Sequence, residues 1–234
     1  MQNKKISAIA LLIAIALSMF GFVYAHWSDM VTIDGTITMG SLALAFDYVE
    51  PPLCQEYYPD PVTGILVAGE WEGKDVGSID CWYADYIKDV HTLKEGWKTL
   101  IIEVDNAYPQ YIVHTTFKLH NIGTVPINIC EYVITGEKRD STTGVAIYDL
   151  LWYDPDGDYI GELWEDVDGD GVVDPAVDIL VINLEITNAL PYQIDPCETN
   201  KAQIDMDFKQ EAEQCHTYTI HVTVLGVQWN KPCP

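Results

Sequence analysis

A side-chain period of two, not 3.6, runs through most of this chain. Tyr111, Val113, Thr115, Phe117 and Leu119 share one phase, while His114, Thr116, Lys118 and His120 take the other. Ile220, Val222 and Val224 alternate with His221 and Thr223, and Leu180, Ile182, Leu184 and Ile186 alternate with Val181, Asn183 and Glu185. Successive side chains of a strand point to opposite faces, so this pattern predicts strands buried on one side. Further strands are expected near 99–104, 126–135, 145–152 and 203–208, separated by turn signals such as Asn106-Ala107-Tyr108-Pro109 and Ile122-Gly123-Thr124-Val125-Pro126. A short helix is expected only near 80–93. The fold class that follows is all-β, a β-sandwich with jelly-roll or Greek-key connections.

The chain can fill such a core, because 48% of its residues are hydrophobic and 11% aromatic. Its charge is lopsided. Lys and Arg number 12 against 36 Asp and Glu, a formal net charge of −24, and Arg139 is the only arginine. Nucleic-acid binding needs cations to neutralise phosphates, so that function is excluded as an expectation, as is docking on an anionic lipid surface.

Lys4 and Lys5 precede an apolar run from Ile6 to Val23, and Val23-Tyr24-Ala25 fits a signal-peptidase site. Residues 1–25 therefore read as a secretory signal, the protein as secreted to the extracellular space or the cell surface, and the mature form as having no membrane partner. From His26 to Met39 the chain lacks proline and reads as extended, with Val31, Ile33, Ile37 and Met39 in one phase. After Gly40 the phase moves by one residue to Leu42, Leu44 and Phe46, which predicts a bulge or bend at Gly40. Such a strand needs a partner for its edges, either in its own sandwich or in a neighbouring molecule. Residues 48–98 hold Pro51, Pro52, Pro59, Pro61, Trp71, Trp82 and Trp97 and read as a long insertion into a domain spanning 47–234. Six cysteines behind a secretory signal, Cys54, Cys81, Cys130, Cys197, Cys215 and Cys233, read as disulfides. Many pairings are open. The local choices are Cys54–Cys81 and Cys197–Cys215, which leave Cys130–Cys233.

The sharpest chemical signal lies at 154–178. Asp154, Asp156, Asp158, Glu162, Glu165, Asp166, Asp168, Asp170, Asp174 and Asp178 fall there with no Lys or Arg among them. Asp166-x-Asp168-x-Asp170-Gly171-x-x-Asp174 has the spacing of a calcium loop: acids at alternate positions of a tight turn converge, and glycine permits the turn. A second set, Asp154, Asp156, Asp158 and Glu162, with Glu165 at the twelfth position, has Tyr159 where that pattern wants glycine. No flanking helices are expected, so these are Ca2+ loops between β elements.

No HExxH, GxSxG or SxxK motif occurs, and the chain does not read as an enzyme. Two other readings stand beside a structural one. Exposed Trp and Tyr suit a secreted carbohydrate-binding module. A mature N-terminal His26 with a second histidine could hold copper in a histidine brace.

The junction Ala25-His26-Trp27-Ser28-Asp29, then Gly35-Thr36, then Gly40-Ser41-Leu42-Ala43-Leu44, resembles the TasA/camelysin family, and Asn121-x-Gly-Thr-x-Pro126 is similar to a strand-end turn of that family. The match covers about 25–46 and 111–135. The middle insertion and the acidic loops look more like archaeal relatives that form bundling pili or calcium-dependent tubes called cannulae. The resemblance implies a jelly-roll sandwich that polymerises head to tail with copies of itself. The segment from His26 to Ile37, including Trp27, Val31 and Ile33, would be donated as a strand to the next subunit.

Overall fold

The computed structural model describes residues 40–60, 63–69, 77–187 and 193–232. Thirteen strands and no helix make up their secondary structure: β1 (Leu44–Asp47), β2 (Leu53–Pro59), β3 (Leu66–Ala68), β4 (Ser78–Lys88), β5 (Glu95–Asp105), β6 (Ile112–Asn121), β7 (Ile127–Asp140), β8 (Ala146–Tyr153), β9 (Ile160–Glu165), β10 (Ile179–Thr187), β11 (Gln193–Ile194), β12 (Thr199–Phe208) and β13 (His216–Gln228). The all-β expectation holds.

Every pairing is antiparallel, and the pairings return on themselves. The order is β1-β5-β13-β7-β8-β9-β10-β12-β6, and β6 pairs again with β1, which closes a nine-strand barrel. The closing strand is short: Phe46 lies opposite Trp97 of β5 and also opposite Leu119 of β6. Four strands lie outside the ring. β4 runs along the other edge of β5, β2 continues along β6, β3 pairs with β2, and β11 pairs with β7.

The alternation read from sequence becomes the division between inside and outside. Along β6, Val113, Thr115, Phe117, Leu119 and Asn121 are buried, and the intervening residues are partly exposed. Leu100, Ile102 and Val104 of β5, Ile204, Met206 and Phe208 of β12, and Tyr218, Ile220 and Val222 of β13 complete one continuous core. Two bulges adjust the phase. The β9–β10 register shifts between Leu180 and Ile182, so Val181 and Ile182 are both buried. The β7–β13 register shifts between Leu225 and Gly226, and the buried set of β7 moves from Ile129 to Tyr132.

Asn121 shows how the ends are tied. Its side-chain amide donates to the Val125 carbonyl at 2.8 Å and the Ile194 carbonyl at 2.9 Å, and its oxygen accepts from the Gly123 amide at 3.0 Å. At Gly123 a Cβ would stand 2.5 Å from the Ser41 carbonyl oxygen and 2.8 Å from the Ala43 nitrogen, so only glycine lets the segment entering β1 lie against this turn.

Two expectations are corrected. The short helix near 80–93 is strand β4, whose Ile79, Cys81 and Tyr83 pack on the core at a period of two while its backbone pairs along β5. The segment 48–98, read as an insertion, holds β2, β3, β4 and the start of β5. Cys54 and Cys81 are disulfide-bonded, joining β2 to β4. Cys197 and Cys215 are free and exposed instead of paired. They flank β12 at opposite ends, and a ten-residue strand spans about 33 Å, far beyond disulfide reach. Cys130 is disulfide-bonded. Cys233, the partner expected for it, lies outside the described residues, as do the signal segment and His26, Trp27, Val31, Ile33 and Ile37.

Candidate metal centres

The acidic stretch is split by β9. Residues 154–159 turn from β8 into β9, and 166–178 connect β9 to β10. Six residues of strand separate them, about 20 Å, so they sit at opposite ends of β9 and cannot share one ion. In each, three carboxylates converge. Asp154, Asp156 and Asp158 form one group and Asp166, Asp168 and Asp178 the other, with ligand oxygens all within 4.8 Å of one another.

The two turns share one local plan, written by a repeated Asp-x-Asp-Gly-Asp. Asp154 accepts from the Gly157 amide at 2.9 Å through one oxygen and from the Tyr159 amide at 2.9 Å through the other. Asp166 accepts from the Gly169 amide at 2.7 Å and from the Gly171 amide at 3.0 Å in the same way. The fourth residue is left-handed in both, with φ of 73° at Gly157 and at Gly169. So is the sixth, with φ of 77° at Gly171 and 64° at Tyr159. A tyrosine in that conformation carries strain that its surroundings must hold. They do so here: the Tyr159 hydroxyl donates to the Cys130 carbonyl at 3.0 Å, and its ring meets the Tyr132 ring edge-on at 5.5 Å.

The sites differ in depth. Asp166 and Asp178 are buried and Asp168 is exposed, whereas Asp156 and Asp158 are both exposed. Asp178 crosses the second loop, accepting from the Val167 amide at 3.0 Å and the Asp174 amide at 2.7 Å. Desolvation by the surrounding loop, then the neighbouring Asp170, Asp178 and Asp166 charges, push the Asp168 carboxyl above its ordinary range. A cation among these oxygens would relieve that repulsion. The donors are all carboxylate oxygens, which suit a hard cation and not a thiophilic or imidazole-seeking metal.

Four other expected ligands stand apart from these groups. Asp170 accepts from the Val172 amide at 2.8 Å and Asp174 from the Ala176 amide at 2.9 Å. Glu162 lies on β9 and accepts from the Trp164 indole at 3.1 Å. Glu165 is buried at the far end of β9, where Lys138 Nζ reaches its two oxygens at 3.0 and 3.1 Å and also Glu213 at 2.8 Å. The Tyr218 hydroxyl donates to it at 3.4 Å. Burial raises the Glu165 carboxyl above its usual range, opposed by Lys138, while Lys138 holds Glu213 below its own. Glu165 therefore anchors the start of the second loop and is not one of its converging ligands. Sequence spacing favoured Asp170 and Asp174 over Asp178, because the fold-back of the 174–178 turn has no signature in a linear pattern.

Among the described residues no histidine joins a group of converging ligands. No family model, no curated protein and no solved structure matches the chain.

Proposed function

We propose that this chain is a secreted structural subunit that assembles head to tail into an extracellular filament, by donation of its segment 26–37, and that Ca2+ stiffens its two acidic turns. One observation carries the reading. All nine strands of the closed barrel lie between Leu44 and Gln228. In this reading the segment upstream serves a neighbour. Its alternating Val31, Ile33 and Ile37 would fill apolar pockets while its backbone pairs with a strand edge. In this reading the barrel is a flattened jelly roll, as the TasA/camelysin resemblance implies, and a head-to-tail contact that does not close makes a fibre or tube.

Ca2+ is the hard cation that fits best, because extracellular calcium is commonly millimolar and fills even weak carboxylate turns. Three aspartates supply part of its six to eight oxygens, and backbone carbonyls and water supply the rest. Deleting residues 26–37 tests the reading. The truncated protein keeps its melting temperature and elutes as a monomer, whereas the full mature chain polymerises. Filaments from the truncated protein would overturn strand donation.

A carbohydrate-binding module is the second reading, supported by Trp82, Tyr86 and Trp229, all at least 40% exposed. A glycan-dependent change in tryptophan fluorescence without assembly would favour it.

A further inference from the structure

Lys138 and Glu165 are both buried, and they stand on strands that are not neighbours, β7 and β9, with β8 between them. Cross-strand register brings them together. Gly136 lies opposite Leu150, and Leu150 lies opposite Glu165. Lys138 follows Gly136 on the same face, with Tyr148 and Tyr218 as its own neighbours across the sheet. Its Nζ ends 3.0 and 3.1 Å from the two Glu165 oxygens, over the Tyr148 and Tyr218 rings at 5.6 and 6.0 Å. Equal distance from both oxygens sets the nitrogen against the carbon they share, roughly 3–3.5 Å away, the separation of a near-attack pair.

A second carboxylate completes the set. Glu213 Oε2 lies 2.8 Å from the same nitrogen, and the Glu213 amide donates to the Tyr218 hydroxyl at 3.0 Å. That hydroxyl donates to Glu165 at 3.4 Å. One cation thus serves two carboxylates, and exposure separates their roles: the Glu165 side chain is 2% exposed and that of Glu213 is 62%. We propose that Lys138 and Glu165 condense into an isopeptide bond, with Glu213 carrying the proton. Inside the contact pair the Lys138 ammonium gives one proton to the Glu165 carboxylate. The Nζ lone pair then attacks Glu165 Cδ, while Tyr218 donates to the oxygen on which charge builds. Glu213 takes a second proton from the nitrogen and passes it to the departing hydroxyl, which leaves as water. An N–C bond forms, a C–O bond breaks, and nothing is oxidised or reduced. Two buried ions, each costly to desolvate, become a neutral amide, and the remaining charge sits on Glu213, which reaches solvent. Holding the pair in place is worth an effective concentration of about 10⁵ M or more, so no activated acyl donor is invoked. Folding brings the pair together as ions and the bond forms afterwards, so freshly folded protein still reports the ion pair. The bond then ties β7 to β9 across β8.

The test is intact-mass spectrometry of the full mature chain, kept folded overnight and then reduced and unfolded. The expected mass is one water below that of the reduced sequence, with a proteolytic peptide containing Lys138 joined to one containing Glu165. K138R, which keeps the charge but not the nucleophile, carries the full sequence mass. E213Q, similar in size, loses the water about a hundredfold more slowly, which a packing role alone would not produce. Wild-type protein at full sequence mass would overturn the proposal, and so would a water deficit that survives in K138R. E213Q condensing as fast as wild type would overturn the role of Glu213. Should either variant fail to fold, the wild-type mass and the joined peptides decide.

Discussion

At the residue scale, two side chains concentrate the local logic. Asn121 has no solvent exposure, and its three hydrogen bonds hold the 121–126 turn and the end of β11 together. Asn121→Ala strands the buried Ile194 carbonyl, the half-buried Val125 carbonyl and the Gly123 amide, so a loss of about 3 kcal/mol is expected in urea denaturation. Asp166 organises the second acidic turn through both oxygens. The exposed Asp168 accepts from the Asp170 amide through one oxygen, so Asp168→Asn keeps that shape but removes a charge; it should leave stability in EDTA nearly unchanged and abolish the share of the Ca2+-induced rise in melting temperature that this turn supplies. Asp158→Asn, at a residue that accepts from the Ile160 amide through one oxygen, does the same for the first turn, and the double variant no longer responds to Ca2+. A site filled at 100 times its Kd contributes about 2.7 kcal/mol, which sets the size of the effect. Tyr159 marks where the linear pattern misled. Non-glycine at the sixth position argued against the first turn, yet the residue adopts the same left-handed backbone as Gly171, because Cys130 and Tyr132, both from β7, hold its ring.

At the element scale, strands with clean alternation were legible and strands in mixed company were not. β6, β10 and β13 follow their apolar phase, apart from the bulges. β4 was hidden by its exposed Trp82 and Tyr86, which blur the contrast between faces, and β9 by the acids on both sides of it. The disulfide between β2 and β4 followed from proximity in sequence. The Cys197–Cys215 pairing failed because the residues between them form a straight strand and not a loop. The tie between β7 and β9 was invisible for another reason: Lys138 and Glu165 are 27 residues apart and each is 1% exposed. Lys138→Met leaves a buried carboxylate without its cation and should cost about 3–5 kcal/mol, whereas Lys138→Met with Glu165→Leu should recover most of that. Equal instability of the single and double variants would show that packing, not charge, dominates this contact.

At the scale of the whole molecule, the ring encloses one continuous apolar core. Its acid stability follows from turns as well as strands. Backbone amides of Thr92 and Thr143 hold the Asp89 and Asp140 carboxyls below their ordinary value of 3.8. Groups with depressed values stabilise the fold fully above that value and lose their contribution as pH falls through the folded one. Glu165, raised by burial, works in the opposite sense, so protonating it relieves the core. Stability in EDTA should therefore hold down to about pH 4 and fall below it, as followed by thermal melts.

The central claim joins strand donation with calcium, and negative-stain electron microscopy of the purified mature protein, with Ca2+ and with EDTA, tests both. Ordered filaments or tubes in Ca2+ that are lost or shortened in EDTA are predicted. Dispersed monomers in both conditions would contradict the claim.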